Sequence, residues 1–333
     1  MKPTIYNTGP YNLRRSMSGL TLIELMISMV LGLLLVSVAA GVMISNSQSF
    51  RTGKSLSQIQ NSARMGFELM ARDIRQAGSI PCGSGINIDN LLDNPLNPTL
   101  PWYLNWENNG NGQFTGYSAN DTISNMPTPL NRVSGTEAVA VSYIESYGSS
   151  LVASGIDSYR FSRAQSQFNS GDVVFVCDSS KASVFIANIS APNSNNIVTI
   201  TAAASTTPIG NANQQPGTFE KNAVVGKLKS RVWYVGDNSN GNKSLYLAEL
   251  SGSTLDAIEI AAGISDLKFE YRLGDTSDFK SAAAIGNDWP LVNAVKITYT
   301  LEGQDENVST DSANSGRLSR SFSSIVALRS RIL

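Results

Sequence analysis

A single carboxylate, that of Glu24, lies near the start of a long apolar run. Residues 19–44 read GLTLIELMISMVLGLLLVSVAAGVMI and contain no other charged side chain. At about 1.5 Å of helix rise per residue, this run is long enough to cross a hydrocarbon core of about 30 Å. A carboxylate at the centre of a bilayer costs on the order of 3 kcal/mol, and less near the interface. Glu24 is therefore a candidate functional residue, and it needs a cationic partner.

Cleavage of the chain after Gly19 would supply that partner. It would place a new ammonium group on Leu20, four residues before Glu24, and this spacing brings two groups together on one face of a helix. The amine could neutralise the carboxylate of its own chain or that of a neighbouring chain, within the membrane or within a bundle of helices.

The charges of the leader predict the orientation of the chain. Lys2, Arg14 and Arg15 are the charged residues before Gly19, and positive charges of this kind keep the N-terminus in the cytoplasm. Everything after Ile44 is then expected on the outer side of the membrane.

These features together resemble the type IV prepilin signal: a short basic leader, a small residue, then GLTLIE opening an apolar helix. The resemblance implies that a prepilin peptidase cuts between Gly19 and Leu20 and that the new N-terminus on Leu20 is methylated. It also implies that Glu24 pairs with the N-terminal amine during filament assembly and that the apolar helix stays in the fibre as a packing core.

Two simpler interpretations remain open. The small residues Ser37-Val38-Ala39 have the spacing at which a conventional signal peptidase cuts, which would make Ala40 the first residue of the mature chain. Alternatively, the run is an uncleaved signal anchor in which Glu24 reaches the interface by snorkelling.

Composition indicates an exported globular protein rather than an intracellular enzyme. The chain has 333 residues, 41% of them apolar, and a formal net charge of −1. Loss of residues 1–19 removes three basic residues and no acid, so the net charge becomes −1 − 3 = −4. This balance argues against a basic nucleic-acid surface, and no direct nucleic-acid partner is predicted.

The residues leave carboxylate pairs, Ser-Lys dyads and oxygen-ligand calcium sites open, but none of these is positively indicated. With no histidine in the sequence, Ser-His-Asp catalysis, Cys-His catalysis and histidine-bearing zinc sites are excluded. No cofactor, metal site or enzymatic activity is predicted. Cys82 and Cys177 would both lie in an oxidising compartment, so we expect one disulfide between them, with two separate buried thiols as the alternative.

The apolar run is expected to continue into an amphipathic helix. Apolar residues recur at steps of three and four on one face. Gly78 and Pro81 then predict the end of the helix. These residues are Leu56, Ile59, Ala63, Phe67, Met70, Ile74 and Ala77. The prediction is a helical region over 20–78, of which 20–44 spans the membrane and the remainder packs on the chain's own sheet.

Two further regions make the resemblance to a particular group of pilins more specific. The segment ARDIRQAGSIPC, residues 71–82, resembles the helix end of PilW-type minor pilins, which is commonly followed by a cysteine. The closing segments GISDLKFEYRL, WPLVNAVKITYTLEG and RSFSSIVALRSRIL are similar to the last strands of that family and of J-type minor pseudopilins of type II secretion. They also alternate apolar and polar residues, as half-buried antiparallel strands do.

The central region lies outside this resemblance. Residues 90–131 are rich in asparagine and proline, and their aromatic residues are expected to pin the loops to the core rather than to display a binding site. These residues are Trp102, Tyr103, Trp106, Phe114 and Tyr117. Short alternating runs then predict strands, and Asn240-Gly241 predicts a hairpin turn rather than a calcium loop.

The predicted fold is α+β and pilin-like: one long N-terminal helix on antiparallel sheet, with a loop-rich β insertion. The expected regions are a removed leader (1–19), the helix (20–78), a loop-rich β subdomain (79–226) and a C-terminal antiparallel region (227–333).

The predicted function is that of a structural minor pilin in type IV pilus assembly, at initiation or at the tip. A type II pseudopilin and a pilus-associated adhesin or glycan binder are the alternatives. Before assembly the chain would sit in the inner membrane with its globular part in the periplasm, and afterwards in the fibre or at the cell surface. The resemblance implies other minor pilins, the major pilin, prepilin peptidase and the inner-membrane assembly platform as partners.

Overall fold

The fold is described from a computed structural model of the chain. The described residues are 19, 21–83, 86–92, 106, 113–123, 131–161, 168–195, 197–202, 211, 215–251, 254–309 and 315–332. Several predicted features lie outside them: the leader charges Lys2, Arg14 and Arg15, the cleavage partner Leu20, and the aromatic residues Trp102 and Tyr103.

A long helix, α1 (Leu22–Gln76), opens the described chain and confirms the predicted helix. The chain divides into two compact units, Met1–Gly53 and Lys54–Leu333, so α1 contributes to both. The helix ends where the sequence predicted, because Gly78 adopts a φ of 69°, a left-handed conformation that terminates helices and that a side chain would strain.

In the first unit, the α1 residues are apolar and exposed. Leu22, Leu33 and Met43, for example, are 79%, 72% and 77% exposed. Within the described residues, α1 is the one helix that is long and apolar enough to cross a membrane. A surface of this kind is stable only in lipid or against other apolar helices.

In the second unit, α1 packs one face against β-sheet. The predicted face is confirmed: Ile59, Ala63, Met70 and Ile74 are all buried in one core cluster with strand residues. Gly66 allows the helix to approach closely, because a Cβ at this position would lie 3.0 Å from Leu245.

The strands of the described chain fall mostly where alternating runs predicted them. In chain order they are β1 (Asn87–Asn90), β2 (Phe114–Tyr117), β3 (Ala138–Ser154), β4 (Ser158–Phe161), β5 (Val173–Cys177), β6 (Lys181–Ile189), β7 (Val198–Ala202), β8 (Val224–Asp237), β9 (Lys243–Ser251), β10 (Thr254–Ala262), β11 (Ile264–Leu273), β12 (Phe279–Ser281), β13 (Val292–Glu302) and β14 (Ser319–Ala327). A short helix, α2 (Ala282–Ile285), follows β12.

These strands form two sheets. The smaller has four strands in the order β12-β11-β13-β14, all antiparallel. The larger has the order β10-β9-β8-β5-β6-β7-β4-β3-β2. Its pairs are antiparallel, and β1 adds to β6 as a parallel strand. The architecture is therefore α+β and pilin-like, with a long helix on antiparallel sheets.

Part of the larger sheet closes on itself. Because β3 also pairs with β8, the strands form a ring in the order β3-β4-β7-β6-β5-β8-β3. Tyr159, Phe161, Val174 and Phe185 belong to one buried apolar cluster of this ring. The loop-rich β insertion predicted from the sequence thus contains its own core. The division into 79–226 and 227–333 stays a prediction.

The predicted hairpin at Asn240-Gly241 is confirmed. β8 and β9 pair antiparallel down to Asp237 and Lys243, on either side of the turn. The side chain of Asn238 accepts hydrogen bonds from the backbone N–H groups of Asn240 and Asn242, both at 3.0 Å, and so holds the turn.

Candidate functional site

Glu24 lies in the first turn of α1 and is held by Thr21. Its Oε2 atom accepts hydrogen bonds from the backbone N–H of Thr21 at 3.1 Å and from the Thr21 hydroxyl at 3.0 Å. In return, the backbone N–H of Glu24 donates to the Thr21 hydroxyl at 3.3 Å. This reciprocal arrangement is a capping box, in which the residue before the helix and the third residue within it satisfy each other's backbone groups.

The capping box gives the carboxylate a defined position. Its negative charge lies at the helix N-terminus, where the helix dipole favours an anion. Among the described residues, the hydrogen bonds to this carboxylate are made at Oε2. Gly19 lies within the described residues and is exposed. Leu20, whose amine is the expected partner of Glu24, lies outside them.

Thr21 was not predicted as a functional residue, although its signal is present in the sequence. A threonine followed three residues later by glutamate, directly before an apolar run, is typical of a capping box. The segment TLIE of residues 21–24 has this pattern.

A second charged site joins α1 to the larger sheet. Asp73, near the end of α1, is only 1% exposed. Its carboxylate accepts hydrogen bonds from Arg231 at 2.7 Å, from the indole N–H of Trp233 at 3.0 Å and from the Tyr143 hydroxyl at 3.4 Å. Arg231 also pairs with Glu249 at 2.6 Å. We call these five residues the helix clasp.

Burial and pairing act against each other within the helix clasp. Burial raises the pKa of Asp73, and the hydrogen bonds and charge of Arg231 oppose that shift. Burial would lower the pKa of Arg231, but Asp73, Tyr143 and Glu249 outweigh it and raise the pKa. Arg231 therefore stays charged. The clasp fixes the rotation of the second half of α1 on the sheet and so positions its buried face.

The predicted disulfide is present. Cys82 and Cys177 are bonded, with their Cα atoms 6.1 Å apart and a sequence separation of 95. Cys82 follows the end of α1 and Cys177 ends β5, so the bond ties the helix end to the ring of strands. A loop of this length is worth about 4–5 kcal/mol on the chain-entropy model, as an upper estimate.

Asp178, next to the disulfide, organises the β5–β6 turn. Its carboxylate accepts hydrogen bonds from the backbone N–H groups of Ser180, Lys181 and Glu220, at 2.8, 3.0 and 3.1 Å. Burial alone would raise the pKa of Asp178, but these hydrogen bonds outweigh it and lower the pKa to about 2. The carboxylate is therefore ionised throughout the physiological range.

The described aromatic residues of the asparagine-rich region face the core. Trp106 is 1% exposed and Phe114 is fully buried, and the ring centroid of Trp106 lies 6.2 Å from that of Phe175. Tyr117 is partly buried beside the same core. For these rings the predicted pinning role is confirmed.

Comparison with known families gives two matches to this chain. The model described as type IV pilus-assembly protein W matches residues 232–330, which begin in β8 and end beyond β14. The model of the prokaryotic N-terminal methylation motif matches residues 14–40, which include Gly19 and Glu24. No curated protein and no solved structure matches the chain significantly.

Proposed function

We propose that this chain is a structural minor pilin of the PilW type, acting at initiation or at the tip of the pilus, because it matches the models of type IV pilus-assembly protein W and of the N-terminal methylation motif. The observation that carries the proposal is the position of Glu24. It is an acid at the start of an exposed apolar helix, inside a segment that matches the methylation motif.

The proposed sequence of events starts in the inner membrane. The precursor inserts through residues 20–44, with Lys2, Arg14 and Arg15 on the cytoplasmic side. Prepilin peptidase then cuts between Gly19 and Leu20 and methylates Leu20. In lipid, Thr21 provides Glu24 with two hydrogen-bond donors, which lowers the cost of keeping a carboxylate among apolar chains.

On assembly, the amine of Leu20 takes over as the partner of Glu24. The charged groups then neutralise each other, and the apolar surface of the helix packs against the helices of other subunits. The partners of this step are the major pilin, other minor pilins and the assembly platform. The mature globular part lies in the periplasm before assembly and on the fibre or cell surface afterwards.

The family match supports a pilus rather than a secretion pseudopilus, because the matching model is that of a pilus-assembly protein. The burial of Trp106 and Phe114 supports a role in assembly over glycan binding, since these rings are packed in the core. A structural role also accords with a family of assembly components.

Replacement of Glu24 by alanine tests the proposal. We expect Glu24→Ala to be processed and stable, because within the described residues the Glu24 side chain hydrogen-bonds to Thr21 alone. Its amount in sheared pili, measured by immunoblot against the membrane pool, should fall about tenfold, as expected when a buried charge pair loses one member.

Glu68→Ala is the matched control, since Glu68 is an exposed acid on the same helix. It should enter pili as the unmodified protein does. Normal incorporation of Glu24→Ala would refute the role assigned to Glu24.

A further inference from the structure

The outer edge of β14 is a regular strand edge with no partner among the described residues. β14 ends the four-stranded sheet and pairs with β13 continuously, from Ala294 with Ala327 to Glu302 with Ser319, without a register shift. An edge of this kind presents a row of unpaired backbone groups to which another strand can add.

Two hydrogen bonds show which backbone groups point outward. The N–H of Leu328 donates to the carbonyl of Asn293 at 2.9 Å, and the N–H of Gly303 donates to the carbonyl of Leu318 at 2.7 Å. Since backbone groups alternate in direction along a strand, the even-numbered residues of β14 bond to β13. The odd-numbered residues direct their N–H and C=O groups to the free edge. They are Ser319, Ser321, Ser323, Ile325 and Ala327.

Apart from the charge of Arg320, the strand lacks the features that usually block an edge. Its sequence, SRSFSSIVA, contains no proline and no lysine, and its pairing has no bulge. The ring of Phe322 stacks on Tyr299 at 5.7 Å, and Tyr299 stacks on Phe67 of α1 at 6.4 Å. The strand is therefore fixed to the core, and its edge is preformed. The edges at β12 and β10 differ, because β12 has three residues and β10 has an irregular register.

Charge indicates the kind of segment that fits this edge. Residues 315–332 contain four arginines and no acidic residue. Arg317 pairs with Glu306 at 3.0 Å, and Arg331 donates to the carbonyl of Val292 at 3.1 Å. Arg320 and Arg329 are exposed and form no ion pair with any residue that the structure describes.

We propose that the outer edge of β14 docks an extended, acidic segment of another pilus subunit, which adds as a further strand with its carboxylates beside Arg320 and Arg329. This inference rests on the proposed pilin function and identifies the surface through which the protein would contact another pilus subunit. Pairing of two copies of this chain through the same edge is disfavoured, because it would bring two basic strands together.

Site-specific photocrosslinking in piliated cells tests the docking edge. A benzophenone amino acid replaces Ile325, whose side chain is 58% exposed, in the full-length protein. We expect a light-dependent adduct that mass spectrometry maps to an acidic segment of another pilus subunit.

Two pairs of variants test how that segment binds. Ser323→Pro removes an outward N–H, whereas Ser323→Ala keeps it. Arg320→Glu reverses a charge at the edge, whereas Lys280→Glu reverses an exposed charge on β12. The adduct yield should fall about tenfold in Ser323→Pro and in Arg320→Glu, and stay unchanged in both controls. If Ser323→Pro loses the Cys82–Cys177 disulfide and is misfolded, the docking edge is tested by comparing the adduct yields of Arg320→Glu and Lys280→Glu.

Several results would overturn the docking edge: no adduct, an adduct with a second copy only, or a yield that neither Ser323→Pro nor Arg320→Glu lowers. The mature N-terminus is sequenced in the same samples. A chain processed at Leu20 that gives no adduct contradicts the docking edge alone, whereas an unprocessed chain contradicts the pilin function.

Discussion

At the residue scale, the carboxylate of Glu24 has one partner in the fold and another in the proposed function. Thr21 holds it through the capping box, which stabilises a helix N-terminus by about 1 kcal/mol. The amine of Leu20 is the partner that processing would provide. Because Oε2 faces Thr21, the other carboxylate oxygen is the one we expect the amine to approach.

Asp178 gives a pH-dependent prediction. Its pKa lies near 2 in the folded chain, below the ordinary value of 3.8, because backbone N–H groups stabilise its charge. It therefore stabilises the fold fully above the unfolded pKa, and this contribution is lost as the pH falls through about 2. We expect Asp178→Asn to lower the free energy of unfolding by about 1–2 kcal/mol at pH 6, and by much less at pH 2.5.

Chemical denaturation of the full-length protein in detergent at the two pH values measures this difference. Asp275→Asn, at an exposed position, is the control and should change little at either pH. An equal loss at pH 6 and pH 2.5 would show that the charge of Asp178 contributes nothing to stability.

The residues differ in how readily their roles follow from the sequence. Glu24 is conspicuous because it is charged in an apolar run, and Thr21 follows from a local spacing of three residues. Asp73 could not be found in this way, because its partners Arg231 and Trp233 are more than 150 residues away and meet it only in the folded chain.

At the scale of elements, α1 combines two environments in one helix. Its first part is exposed and apolar, and its second part is amphipathic and held by the helix clasp. The first part follows from a long apolar run and the second part from hydrophobic periodicity, both of which are local properties. The strands follow from alternation for the same reason. The closed ring of β3, β4, β7, β6, β5 and β8 does not, because strand alternation carries no information about which strands pair.

The helix clasp gives a prediction at this scale. Asp73→Ala leaves Arg231 and Trp233 without their buried partner, so we expect the second half of α1 to bind the sheet less tightly. The free energy of unfolding should fall by about 3 kcal/mol, since Glu249 still compensates part of the charge of Arg231.

Tryptophan fluorescence during thermal unfolding measures this loss of stability, because the indole N–H of Trp233 donates a hydrogen bond to Asp73. Glu68→Ala, an exposed change on the same helix, should have an effect within about 0.5 kcal/mol. If Asp73→Ala were as stable as Glu68→Ala, the clasp would not be a stabilising contact.

At the scale of the whole molecule, the chain contains an exposed apolar helix segment and a disulfide-bonded globular part. The disulfide was predicted from the number of cysteines and their expected compartment, and Cys82 and Cys177 are indeed bonded. The family matches lie at the two ends of the chain, at residues 14–40 and 232–330. Five strands of the closed ring, β3 to β7, lie between these matches, and the sixth strand, β8, extends into the second match.

Mass spectrometry of the mature N-terminus is the most direct test of the central claim. If the apolar helix works by exposing an amine beside Glu24, the protein purified from cells must begin with a methylated Leu20. A native chain that begins at Met1 or at Ala40 would contradict the account, because neither form places a new amino group four residues before the carboxylate.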